Sequence, residues 1–182
     1  YLAFLGRISK EKRPDRAVEI ARRTGLPLKI AAKVGDKDKR YFEHCIRPLL
    51  DGGGADVEFL GEVDEQQKQA LLGGARALLF PIDWPEPFGI AMIEALACGT
   101  PVIGWRTGSV PSIIDDGVTG FIVDSLDDAV VAVERVDRIA RGACRHAFER
   151  RFTAQRMAQD YVHIYQALLD TSAHEPAWRT TP

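Results

Sequence analysis

The sequence has few cysteines, no excess of charge of either sign and no long apolar run, and each shortage excludes something. Its three cysteines, Cys45, Cys98 and Cys144, form no Cys-x-x-Cys pair, and an odd, widely spaced set implies reduced thiols in a cytosolic setting without a disulfide framework. No run of about 18 apolar residues and no basic-then-apolar leader is found, so the segment is expected neither to span nor to enter a bilayer unaided. With 24 Lys+Arg against 26 Asp+Glu the net charge is −2, which argues against a nucleic-acid-coating protein yet leaves room for a local basic pocket. His44, His146, His163 and His174 share no metal-ligand spacing. A Gly-x-Gly-x-x-Gly after the first apolar run is also lacking, which disfavours a nicotinamide-dependent oxidoreductase.

What is there is a globular composition, 46% hydrophobic and 27% charged over 182 residues, about one domain's worth of chain. Apolar runs over residues 1–5, 28–34, 57–60 and 75–80 read as strands, with further strands from Pro101 and over 120–123. Helical patterns fall between them: one from Pro14, one carrying Tyr41, Phe42, Cys45, Ile46 and Leu49, one over 65–72, one over 88–98 closed by Gly99 and Pro101, and a short one over 109–115. Strands that are nearly continuous apolar runs, alternating with helices, predict an α/β fold with a Rossmann-like parallel sheet buried on both faces. From Ser125 onward the pattern is helical. In the last helix Met157, Tyr161, Ile164, Tyr165 and Leu168 make one stripe behind Thr153 as N-cap, and that stripe must pack on the domain core or on an absent partner domain. A domain over 1–170 and a loose tail over 171–182, with Trp178 its only obvious anchor, are expected. Because the first residues already read as a buried strand and the chain opens on Tyr1, the natural polypeptide is expected to continue upstream.

In an open parallel sheet ligands bind outside the carboxyl ends of the strands, so the loops after each strand are where chemistry is sought. After strand one come Gly6, Arg7 and Lys12: a guanidinium able to hold two phosphate oxygens and an ammonium able to add a point charge. After strand four comes Trp84-Pro85-Glu86-Pro87-Phe88-Gly89-Ile90, where two prolines hold Glu86 on a stiff turn. The Phe88, Gly89 and Ile90 amides open a helix, a position that favours anions or hydroxyl oxygens. Glu94, one helical stretch later, leans back toward the same opening. Two acids are thus expected at one pocket. Asp36-Lys37-Asp38 matches the D-x-D pattern of metal-dependent sugar-nucleotide enzymes, but within KVGDKDKR it reads as a solvated turn. Arg141, Arg145, Arg150 and Arg151 read as a solvated helix face, with contact to anionic lipid as the alternative.

These motifs carry a resemblance. EPFGIAMIEALACGTPVI, with seven residues between its two glutamates, closely resembles the signature of retaining family 4 glycosyltransferases. Gly6-Arg7 followed by Lys12 resembles that family's diphosphate loop, and Phe59-Leu60-Gly61-Glu62-Val63 and Asp116-Gly117-Val118-Thr119-Gly120-Phe121 resemble further landmarks. The resemblance covers about residues 1–169. It implies the C-terminal, donor-binding half of a GT-B fold, with an N-terminal acceptor domain absent from this chain.

By the same resemblance Arg7 and Lys12 neutralise the diphosphate of a UDP- or GDP-linked sugar, and Glu86 holds sugar hydroxyls beside the amides of 88–90. Glu94 holds the ribose, and Gly6, Lys33, Val63 and Pro87 complete the donor-binding set. Arg7, Lys12 and Glu86 form the catalytic set, with no metal or cofactor required. A retaining glycosidase would also use two carboxylates, but the paired cations and the helix opening call for an anion. The sequence departs from the family pattern in two places: Ala32-Lys33-Val34-Gly35 stands for the usual Gly-x-Gly, and Ser112 for a glutamate. A noncatalytic nucleotide- or glycan-binding module and a nucleotide-sugar epimerase on the same architecture are the alternatives. The expected setting is cytoplasmic, with peripheral attachment to the inner membrane face as a variant.

Overall fold

Near-continuous apolar runs form the strands, as a sheet covered on both faces requires. A computed structural model describes residues 1–54 and 56–173, with side chains described as far as residue 170. Its strands are β1 (Leu2–Arg7), β2 (Leu28–Lys33), β3 (Val57–Gly61), β4 (Ala77–Phe80), β5 (Val102–Trp105) and β6 (Gly120–Val123). They form one sheet in the order β3-β2-β1-β4-β5-β6, every described pair parallel, with Leu2 opposite both Leu28 and Ala77. The chain builds outward from β1 through β2 to β3, then returns to β1's other side with β4. Between β1 and β4 the loops therefore leave in opposite directions, which opens a crevice at their carboxyl ends.

Two helical layers cover the sheet. On one face α1 (Pro14–Thr24) starts with Pro14 at its first position, buries Ala17, Val18, Ile20 and Ala21, and ends at the left-handed Gly25. Residues 39–51, expected as one helix, are α2 (Lys39–Tyr41), a π-turn over Phe42–Ile46 and α3 (Arg47–Asp51). Pro48 has no amide to offer the His44 carbonyl, and the wider turn lies just before it. On the other face lies α4 (Glu65–Gly74), opened by a capping box in which Gln67 N donates to Asp64 at 2.8 Å and Asp64 N donates to the Gln67 side chain at 2.9 Å. Beside it runs α5 (Ile90–Ala97), which starts two residues later than its sequence pattern because Gly89, at φ 80°, is its N-cap. Then follow α6 (Val110–Ile113), α7 (Leu126–Arg135), which is capped by Ser125 and returns to the face of α1, and α8 (Arg141–Arg151). Helix α1 lies against α3 and α7, and α5 against α4 and α8.

The last helix, α9 (Ala154–Ala173), is capped as expected, with Arg156 N donating to Thr153 Oγ1 at 3.2 Å. The domain core does not take its stripe: Met157, Tyr161, Ile164 and Tyr165 are all more than half exposed. The helix continues past Asp170 to Ala173. Trp178 lies outside the described residues.

Arg13 is the one non-glycine with positive φ among the described residues, at 52°. It closes the single 3₁₀ turn Lys10–Lys12 and precedes Pro14 of α1. A left-handed conformation costs an L-residue about 1–2 kcal/mol, and a following proline further disfavours helical backbone values.

Candidate functional site

Gly6 and Arg7 end β1 itself and do not form the loop after it; they pair in register with Ala32 and Lys33 of β2. The ladder runs further than the apolar run, and Ile8 N still donates to the Lys33 carbonyl at 2.9 Å. Arg7 is thus held at the carboxyl edge. Its guanidinium donates to Glu11 at 2.8 Å and stands 3.7 Å from Asp38. Glu11 lies below the ordinary glutamate range, first through a backbone hydrogen bond and further through Arg7.

One turn on, Lys12 Nζ is hydrogen-bonded to Glu86 and lies 5.6 Å from the Phe80 ring centroid. Trp84 Nε1 donates to the same Glu86 oxygen at 2.9 Å. This pair is largely withdrawn from solvent, with side-chain exposures of 20% for Lys12 and 16% for Glu86. The turn carrying Glu86 is pinned by its backbone: Glu86 N donates to Trp84 O, Ser109 N to Glu86 O and Asp83 N to Glu11 O, each at 2.8 Å. A Cβ on Gly108, whose φ is 53°, would overlap the Glu86 backbone, so only glycine lets the loops after β4 and β5 approach this closely. Among the described residues the Phe88, Gly89 and Ile90 amides have no hydrogen-bond acceptor, so the positive end of α5 faces the crevice unspent. Phe88 and Ile90 are about 60% exposed and, with the exposed Pro87, form an apolar rim beside those amides.

A second group gathers next to this one. Gly6, Lys33 and Val63 line one small cavity of about 160 Å³, together with Lys68 of α4. Lys68 donates to Glu94 at 2.6 Å and to Glu65 at 2.8 Å. Burial alone would lower its pKa, but hydrogen bonds to Glu65 and Glu94 hold the ammonium above the ordinary lysine range. Glu94 therefore meets Lys68 of α4, whereas Glu86 faces Lys12, so the two acids sit in separate ion pairs. Lys68 escaped the sequence reading because a lysine in the polar run Glu65-Gln66-Gln67-Lys68-Gln69 carries no signal apart from helix surface.

Other expectations resolve as follows. Asp36 pairs with Lys39 at 2.7 Å and is 93% exposed, a solvated turn, while Asp38 faces Arg7. The arginine cluster is not simply solvated. Arg141 donates to Ala75 O, Gly73 O and Thr100 Oγ1 at 2.7–2.8 Å, Arg145 to Ala97 O at 2.8 Å, and Arg151 to Ser112 O and Ile113 O. Helix-terminal and loop carbonyls lie within reach of Arg141, Arg145 and Arg151, while Arg141, Arg145 and Arg150 remain exposed. A cavity of about 540 Å³ beside Arg141 and Cys98 is larger than the one lined by Gly6, Lys33 and Val63 but sits at the amino end of the strands. No group of three metal-ligating side chains is present among the described residues, and none of their helices is long and apolar enough to cross a membrane.

Comparison with known proteins gives a consistent result. The sequence profile of the family "Glycosyl transferases group 1" matches residues 1–153. A D-inositol 3-phosphate glycosyltransferase from Saccharomonospora viridis is 32% identical over 184 aligned residues, covering 91% of this chain and 42% of that protein. The structure of AviGT4, a glycosyltransferase involved in avilamycin A biosynthesis, superposes with a TM-score of 0.76 at 27% identity, over 93% of this chain and 51% of that one. An Anabaena protein crystallised in complex with UDP, HepE, superposes with a TM-score of 0.81 at 17% identity, over 91% of this chain and 48% of that one. The chain spans less than half the length of the curated relatives it matches.

Proposed function

The chain belongs to the glycosyl transferases group 1 family, and from that premise we propose that it binds the nucleoside diphosphate sugar donor of a retaining, family 4-type glycosyl transfer. The observation that carries this reading is the Lys12–Glu86 pair, half-buried at the β1–β4 switch point beside the unspent amides of 88–90. The UDP held by the HepE structure supports a nucleotide as the ligand class.

In this reading the cavity lined by Gly6, Lys33 and Val63 takes the base, and Glu94, steadied by Lys68, accepts hydrogen bonds from the ribose hydroxyls. The diphosphate lies between Arg7, Lys12 and the mouth of α5, and the sugar hydroxyls meet Glu86. As the sugar–phosphate bond breaks, negative charge grows on the departing diphosphate. Fixed cations and backbone N–H groups stabilise that charge most when it is largest, without reorganising. Lys12 moves from Glu86 toward phosphate oxygen, and Glu86 is released to orient the sugar. The acceptor attacks on the face the diphosphate leaves, without a metal. Acceptor contacts belong to an N-terminal domain outside this chain, so the 182 residues alone bind donor but transfer poorly.

Calorimetric titration of the chain with UDP and with GDP tests the reading. Saturable binding is expected, and Arg7→Ala combined with Lys12→Ala should weaken it by several kcal/mol, since each charge-assisted contact contributes about 1.5–3 kcal/mol. Wild-type protein that binds neither nucleotide would overturn the assignment.

A further inference from the structure

We propose that Arg13 is a positioning residue, a clamp that sets the spacing between the turn carrying Lys12 and the turn carrying Glu86; this role rests on the donor-site reading above. Arg13 follows Lys12 directly and holds a left-handed backbone ahead of a proline, where a glycine would sit without strain. An arginine in that conformation is useful for its side chain. Nε donates to both oxygens of Asp15, at 2.9 and 3.1 Å, and Nη2 to Asp15 at 2.7 Å, while Nη1 donates to Asp83 at 2.9 Å.

One planar group thus ties the first turn of α1 to the loop that leaves β4. The guanidinium is 28% exposed and its Asp15 partner 31%, so its anchor on α1 is partly shielded, while Asp83 on the other loop is 53% exposed. Arg16 supports the same loop, with Nη2 3.4 Å from Asp83 and Nη1 donating to Pro81 O at 3.2 Å. The Asp83 amide is held by Glu11 O at 2.8 Å. Two loops distant in sequence are therefore fixed against each other one residue beyond Lys12 and three residues before Glu86. The clamp, together with Gly108, sets the distance between the turns that carry Lys12 and Glu86, so that an incoming diphosphate finds both turns already in place.

Arg13→Gly separates this role from a structural one, because glycine keeps the left-handed turn and removes only the guanidinium. The expected result is a chain that melts at or above the wild-type temperature, binds UDP at least fivefold more weakly, and shows a displaced Trp84 indole N–H resonance as its Glu86 acceptor moves. Assignment of that resonance uses Trp84→Phe. Asp83→Asn attacks the clamp from its other end and should change both readouts in the same direction, by less. UDP affinity within twofold of wild type and an unmoved indole resonance in Arg13→Gly would overturn the clamp; should that variant not fold, Asp83→Asn decides by the same readouts. Wild-type protein without UDP affinity, but with the indole displaced by Arg13→Gly, would instead sink the nucleotide reading and leave the clamp standing.

Discussion

The two ends of the sheet both hold basic side chains against it, but they satisfy them differently. At the amino end of the strands Arg141 donates to fixed, neutral oxygens of Gly73, Ala75 and Thr100, and so joins the ends of α4 and α5 to the start of α8. At the carboxyl end Lys12 meets Glu86 and Lys68 meets Glu94, each a side chain free to change rotamer. Backbone carbonyls cannot turn away, whereas carboxylates can exchange an ammonium for a hydroxyl. The first arrangement suits permanence and the second suits replacement by a ligand. Cavity size points the wrong way, since the largest opening described lies at the amino end. Partner chemistry is the better guide.

The contrast can be broken at its amino end first. Arg141→Ala leaves several acceptors without their donor and should cost about 2–3 kcal/mol of stability. Thermal melting should register that loss, while UDP affinity stays within twofold; a parallel loss of affinity would erase the distinction. At the carboxyl end, Lys68→Met should weaken UDP binding about tenfold, roughly 1.4 kcal/mol, and leave inorganic pyrophosphate binding unchanged. Equal weakening of both ligands would move Lys68 from the nucleoside side to the phosphate side. The last effect is a pH slope that vanishes at neutral pH. Burial pushes the Cys144 thiol up to about 11 from 9.0, with its Sγ against Thr119 O at 3.6 Å. The unfolded chain gives up this proton first, so stability is unaffected below pH 8 and falls as pH rises toward 11, by about 2 kcal/mol. Denaturant titration of Cys144→Ala should lack that part of the slope.

Strand positions were legible because a sheet covered on both faces leaves runs such as Ala77-Leu78-Leu79-Phe80 with no polar residue. The site loops were legible through their punctuation: Pro85, Pro87 and Gly89 announce a stiff turn before a helix without any knowledge of its neighbours. What stayed hidden depends on partners distant in sequence. That Arg7 belongs to β1 follows from the length of the β2 ladder, and that Lys68 meets Glu94 follows from α4 lying beside α5. Arg13 was illegible for a different reason. Local rules for a residue ahead of proline predict extended backbone, and only the double hold of Asp15 and Asp83 overrides them.

The mutual neutralisation of Lys12 and Glu86 also decides which ligands the pocket disfavours. A stray polyanion finds no bare ammonium there, because drawing Lys12 off would strand a half-buried carboxylate. A ligand that carries negative charge at one end and hydroxyl groups at the other can part the two without leaving either unsatisfied. A preference for an activated sugar over simple phosphates, which bind but more weakly, is thereby written into the pairing itself.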